Sequence, residues 1–227
     1  MTRTRPVRIP VDGFDGSVSG LFQRPRGAKA LLLFGHGAGA GMEHPFMSDM
    51  STALAQVGIA TLRYQFPYME KGRRPPSPRP LLLATVRAAC AAANRRARGL
   101  PLFVGGKSMG GRMTSLAFAQ GGLSKSLRGL VFFGFPLHPP GRTGVERAEH
   151  LSSVHVPMLF LQGTRDKLAA LDELRPVCEA LKPRVRLHIV EGADHGFDVL
   201  VRSGRTSGDV RQELAHAVSR FIDRNSP

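Results

Sequence analysis

The sequence predicts an α/β fold in which a mostly parallel central sheet carries helices on both faces, in one domain over residues 1–227. Three observations support this. Apolar runs of strand length, such as "ALLLFG", "LFVGG", "LVFFGF" and "MLFLQG", recur along the chain. Between most of them lie stretches whose apolar residues follow the period of a helix. The strand runs are also apolar on consecutive residues, as expected of strands buried on both sides.

Two early segments, "VRIPVDG" and "SVSGLFQRP", read as short strands separated by the turn residues Asp12, Gly13, Asp15 and Gly16. "AKALLLFG" is the third strand, and residues 46–57 then place Phe46, Met50, Ala53, Leu54 and Val57 at helical spacing. "GIATLRYQF" is the fourth. "PLLLATVRAACAAANRRA" is an alanine-rich helix with Pro80 in its first turn, where the missing N–H costs nothing. "LPLFVGG" is a strand running into the helix "SMGGRMTSLAFAQ", which Gly121-Gly122 should end. "LRGLVFFGFP" and "VPMLFLQG" are the sixth and seventh strands. "KLAALDELRPVCEAL" reads as a helix that Pro176 bends or splits. "PRVRLHIVEG" is the last strand, and "SGDVRQELAHAVSRFIDR" closes the chain as an amphipathic helix capped by Ser207 or Asp209.

Hydrophobic residues make up 42% of the chain and charged residues 22%, the balance of a globular protein. No apolar run reaches the length of a membrane span. The basic N-terminus "MTRTRPVRIP" is not followed by the apolar core of a signal peptide, so a cytoplasmic location without membrane attachment is expected. Cys90 and Cys178 lie far apart in helix-like stretches and read as reduced thiols. The formal charge is +15, and the arginines are spread along the whole length. Such charge attracts polyanions weakly, but no nucleic-acid motif accompanies it, and no specific nucleic-acid partner is expected.

The stretch "VGGKSMGG" at 104–111 admits two readings. Gly106-Lys107-Ser108 resembles the tail of a phosphate-binding loop, but that loop needs a glycine where Pro101 stands, inside a strand. The phosphate reading fails. Gly106-Lys107-Ser108-Met109-Gly110 is also Gly-x-Ser-x-Gly, a turn that presents a nucleophilic serine. Chance matches are common in a chain with 26 glycines, so context decides. Ser108 stands between a strand and a helix, as a strained strand-to-helix turn requires, and the helix N-terminus favours negative charge nearby.

A serine nucleophile needs a base, and the base needs a group that orients it. His195, in "IVEGADHGF", follows the last strand and can return over the sheet edge. Asp166, in "MLFLQGTRDKL", follows the seventh strand and completes the order Ser108, Asp166, His195; Asp198 is the rival acid. Backbone donors for an oxyanion are expected from Met109, just after the nucleophile, and from Ala38 in the glycine-rich loop "HGAGAG".

Taken together, "HGAG", "GKSMGG", "GTRD" and "DHGF" resemble the α/β-hydrolase superfamily over residues 20–224, more narrowly its small, lidless, dienelactone-hydrolase-like branch. The resemblance implies the triad already reached from the residues. Dienelactone hydrolases proper use a cysteine nucleophile, so a serine points instead to ester hydrolysis. The segment between the sixth and seventh strands is too short for a helical cap. Met42, Phe46, Phe135 and the loop carrying Arg63 and Tyr68 are expected to wall the site, with Lys107 beside the nucleophile and a preference for an anionic acyl substrate.

The reading is a serine hydrolase acting on a small-molecule ester through an acyl-enzyme, as a monomer or homodimer. No cofactor or metal is implied, since no histidine–carboxylate group has ligand spacing. The alternative is a non-catalytic binding or regulatory module on the same fold.

Overall fold

The computed structural model describes residues 3–121, 123 and 126–226. In chain order the elements are β1 (Thr4–Pro10), β2 (Ser17–Gln23), β3 (Ala30–Gly35), α1 (Pro45–Gln56), β4 (Ile59–Tyr64), α2 (Pro67–Glu70) and α3 (Arg79–Ala97). They continue with β5 (Leu102–Lys107), α4 (Met109–Ala119), β6 (Leu127–Phe133), β7 (Met158–Gly163), α5 (Leu171–Ala180), β8 (Val185–Val190) and α6 (Ser207–Asn225). Short 3-10 turns occupy Glu146–Ser153 and Val201–Ser203.

The eight strands form one sheet in the order β1-β2-β4-β3-β5-β6-β7-β8. β1 and β2 pair antiparallel, as do β2 and β4; every pairing from β4 through β8 is parallel. All eight expected strands are present.

Consecutive residues of β3 explain why its run is apolar throughout. Leu31 and Leu33 pack with Val86 and Ala89 of α3 and Met113 of α4. Leu32 and Phe34 face the other way, against Met50 and Leu54 of α1 and Val218 of α6. A strand between two helical layers has no wet side on which a polar residue is cheap.

Three local expectations change. The cap of α6 is Thr206, not Ser207 or Asp209: its hydroxyl accepts from the Asp209 amide at 3.1 Å, while the Asp209 carboxylate accepts from the Thr206 amide at 2.7 Å. Pro176 neither splits nor displaces α5, which runs on to Ala180, because the ring forfeits one backbone hydrogen bond and the short helix tolerates that. The same helix starts at Leu171 rather than near Lys167, since Asp166 and Leu168 form a turn of their own. At the end of α4, Gly121 has φ +73° and donates to Phe118 O; Gly122 lies outside the described residues. Cys90 and Cys178 are buried and form no disulfide. No helix among the described residues is long and apolar enough to cross a membrane.

The register aligns the carboxyl ends of the parallel strands: Gly35 pairs with Gly106, Lys107 with Phe133, and Gly163 with Val190. The loops leaving β3, β5, β6, β7 and β8 therefore open onto one edge, where ligands bind in sheets of this kind.

Candidate active site

Ser108 is the residue between β5 and α4, with φ +49° and ψ −115°. A side chain rarely adopts a positive φ, and here the surrounding contacts enforce it. β5 must turn into α4 within one residue while α4 presses on β3. A Cβ built on Gly106 would lie 2.4 Å from Gly35 O, and one built on Gly110 would lie 2.3 Å from the same atom. Only glycine fits at either position, so the two glycines of this turn are set by packing against β3.

The Ser108 hydroxyl lies 2.9 Å from His195 Nε2, and His195 Nδ1 lies 2.7 Å from Asp166 Oδ2. His195 comes from the loop after β8 and Asp166 from the turn after β7. Asp166 is 3% exposed; its other oxygen accepts from the Leu168 amide at 2.8 Å. Burial by itself opposes ionisation of Asp166. The hydrogen bond and charge of His195, the Leu168 amide and the Lys107 ammonium outweigh it and hold the carboxyl below the usual carboxylate range. An ionised Asp166 accepts from Nδ1–H, leaving Nε2 free to accept the serine proton.

Two residues around this chain have roles that the sequence reading did not assign. Gln162, the buried amide near the end of β7, donates from Nε2 to Asp166 Oδ2 at 2.7 Å and to Ala169 O at 3.1 Å, fixing the carboxylate from below. A lone amide at the end of the apolar run "MLFLQG" was the signal for it. Lys107 donates from Nζ to the backbone carbonyl of His195 and so ties the His195 loop to β5. Burial pulls the Lys107 ammonium down to about 8, with Asp166, Asp194 and Asp198 partly offsetting it. Its Nζ also sits 5.5 Å from the Phe197 ring centroid and 5.8 Å from that of Phe46.

Ser108 and His195 open into a cavity of about 560 Å³. Of the expected walls, Phe46 and Lys107 line it together with Ala38. Met42, Arg63, Tyr68 and Phe135 do not line it. Arg63, 5% exposed, donates to Met42 O at 2.9 Å and Ser48 Oγ at 2.8 Å, bracing the loop before α1. Tyr68 accepts the Gly39 amide at 2.9 Å and holds the glycine-rich loop from behind. Phe135 is buried among Phe132 and Phe160. The cavity instead gains Asp49, Asp198 and Arg211. Arg211 lies on the buried face of α6 beside Val210 and Leu214, and a charge on an apolar helix face was the sequence signal for it. With Lys107 and Arg211 matched by Asp49 and Asp198, the expected cationic wall is absent. The rival acid Asp198 lines the cavity while Asp166 holds the imidazole.

The glycine-rich loop after β3 lies directly over the serine: a Cβ on Gly37 would be 3.7 Å from Ser108 Cβ. His36, at the root of that loop, is fully buried; its Nδ1–H donates to Gly37 O at 2.7 Å and its Nε2 accepts from the Phe66 amide at 3.1 Å. These bonds, with burial that pulls it down to about 4, keep His36 neutral and structural. Met109, first in α4, has no carbonyl one turn back within its helix to receive its N–H. Nothing from 134–157 lines the cavity; that segment's 3-10 turn packs on α4, where His150 Nε2 meets Ser115 Oγ at 2.7 Å.

The fold has close structural counterparts. A dienelactone hydrolase from Anabaena variabilis superposes with a TM-score of 0.76 at 21% identity, covering 100% of this chain and 99% of that one. A lidless α/β serine hydrolase from Xanthomonas campestris gives 0.72 at 19% identity, over 97% and 96% of the two chains. A cold-adapted esterase from an Arctic intertidal metagenomic library gives 0.68 at 19% identity, over 100% and 95%. A family model described as an alpha/beta hydrolase domain matches residues 28–223, and the chain belongs to that family.

Proposed function

We propose that the protein is a serine hydrolase that cleaves a carboxylic ester through an acyl-enzyme. The observation that carries this is the unbroken chain from Asp166 through His195 to Ser108, opening into a cavity at the carboxyl edge of the sheet. Ser108 Oγ attacks the acyl carbon as its proton passes to His195 Nε2, and the carbonyl electrons move onto oxygen. The Ala38 and Met109 amides are assigned to that oxyanion. Collapse expels the alcohol, which takes the proton from His195. Water then repeats the sequence: its proton goes to Nε2, its oxygen to the acyl carbon, and the acid leaves as Ser108 recovers its proton. Asp166 keeps the imidazole oriented and stabilises its charged form throughout.

The uncovered cavity, walled by Phe46, Met47 and Leu168 alongside the balanced charges, suits a small acyl group that is uncharged overall. Labelling with a fluorophosphonate and locating the adduct by mass spectrometry tests the nucleophile. The expected result is modification at Ser108, absent in Ser108→Ala. A folded wild type that resists the reagent and leaves short-chain esters intact would overturn the proposal and favour a binding module on the same fold.

A further inference from the structure

The positive charge is unevenly placed. The strand ends opposite the candidate active site gather arginines in two groups. Arg3, Arg5, Arg24, Arg26, Arg96 and Arg98 line a groove of about 640 Å³ where β1 and β2 meet the end of α3. Arg184, Arg186, Arg220 and Arg224 line a second depression where the start of β8 meets the end of α6. Arg128, exposed near the start of β6, lies between them.

The acids are distributed the other way. Among the described residues, those at this end are Asp223 and Glu179, and each is already bound to a lysine, Lys29 at 2.6 Å and Lys182 at 2.7 Å. Most of these arginines are exposed and, among the described residues, none is paired with a carboxylate; Arg96 and Arg184 are half-buried, and Arg96 donates to the Ala92 carbonyl at 3.1 Å. Arg24 does reach the Ala97 carbonyl at the end of α3, at 3.4 Å.

We propose that this basic end is a docking surface for the phosphate backbone of a nucleic-acid duplex, read without regard to sequence. Guanidinium groups suit phosphate oxygens because their planar fork gives two parallel donors. The two groups stand at opposite edges of the eight-stranded sheet, so only an extended ligand can meet both.

Two further observations favour a duplex over a membrane surface or a single strand. The exposed large apolar residues Val145, Leu200 and Val201 all lie in the loops that follow β6 and β8. Among the described residues, the basic end thus shows no exposed apolar anchor of the kind that holds a protein in a membrane interface. Among the described residues its aromatics form no exposed row: Phe103 and Phe221 are buried, and Phe118 and Phe22 (the latter in the wall of the first groove) are half-buried. Single strands are gripped through such platforms.

Fluorescence anisotropy with a labelled duplex, titrated across a salt series, tests the surface. Three variants each remove three positive charges: Arg3→Ser/Arg5→Ser/Arg26→Ser, Arg186→Ser/Arg220→Ser/Arg224→Ser, and a control at the opposite end, Arg73→Ser/Arg74→Ser/Arg142→Ser. Each basic-end variant should weaken binding at low salt by about tenfold or more and flatten the slope of log affinity against log salt by about 2–3. The control should bind like the wild type.

Equal losses in all three variants would mean that only net charge matters and would overturn the proposal. So would a wild type that ignores the duplex, or one that prefers vesicles of phosphatidylcholine and phosphatidylserine. Should a variant melt early, arginine-selective modification of the wild type decides the matter. Protection of Arg3, Arg5 and Arg26 by duplex supports the surface, and unchanged reactivity overturns it.

Discussion

Gly134, the residue after β6, offers a sharp test of how the candidate triad is confined. A Cβ built there would lie 3.2 Å from Lys107 Nζ, 3.3 Å from His195 Nδ1 and 3.4 Å from Asp166 Oδ2. Its φ is +68°, so Gly134→Ala imposes a backbone cost as well as crowding. The backbone part can be subtracted. Gly141 has φ +72° with nothing within 4 Å of its built Cβ, so Gly141→Ala carries the strain alone.

A left-handed conformation costs a side-chain-bearing residue about 1–2 kcal/mol. In a chain of this size that lowers Tm by roughly 2–8 °C, and both variants should show it. Only Gly134→Ala also crowds Lys107 Nζ and His195 Nδ1, which must give by a few tenths of an ångström. Small displacements of reacting groups are expensive, and a loss of about 10- to 100-fold in kcat/KM is expected, or about 1.4–2.8 kcal/mol of transition-state stabilisation. Thermal melts and p-nitrophenyl acetate hydrolysis of both variants decide the matter. Equal Tm losses with equal, undiminished turnover would refute the argument that Gly134 is a wall of the triad.

Asp166→Asn should keep the fold, because the Gln162 and Leu168 contacts are local, yet lower kcat on the order of 10⁴-fold by offering the imidazole an uncharged partner; steady-state kinetics with circular dichroism as control checks it. His36 should make the protein acid-sensitive. Its folded value of about 4 lies below the ordinary 6.5, so the unfolded chain takes up a proton that the folded state refuses. Stability is then fully present above pH 6.5 and falls by up to about 3 kcal/mol as the pH drops to 4. Urea unfolding at pH 7 and pH 4.5 should show this in the wild type and a weaker dependence in His36→Gln. Thr206→Ala removes the hydroxyl half of the α6 capping box and should cost about 1 kcal/mol without touching turnover, as melting and ester assays would register.

The fold was legible because the central parallel strands β3, β5 and β7 are buried on both faces and read as apolar runs, and the order of Ser108, Asp166 and His195 along the chain placed each after a strand. The walls of the cavity were less so. Arg63 and Phe135 lie in or next to strands and face inward, and a sequence with no alternation of polar and apolar residues does not reveal which way a strand-end side chain points. Arg63 is buried because backbone and hydroxyl oxygens around α1 take its donors, a long-range pairing without a local signature. Arg211 and Gln162 carried a signal, one polar residue where the period demanded an apolar one, and both lie near the site. A polar residue that interrupts a well-formed apolar pattern is therefore better evidence of a site than a charged residue in a loop.

The ambiguity of "GGKSMGG" has a physical resolution of the same kind. A phosphate loop uses glycine to bring backbone amides against a ligand, so its glycines border open space. Here the built Cβ atoms on Gly106 and Gly110 meet the Gly35 carbonyl, and that on Gly105 meets Val131 O at 1.9 Å. These glycines are closed in by β3 and β6 and have no room for a phosphate. Their smallness lets α4 start against β3 and drives the strain into Ser108, the one residue of the turn that takes a positive φ with a side chain. That strain aims the hydroxyl at His195. The same three letters, Gly-Lys-Ser, thus carry different chemistry according to what fills the space beside the glycine.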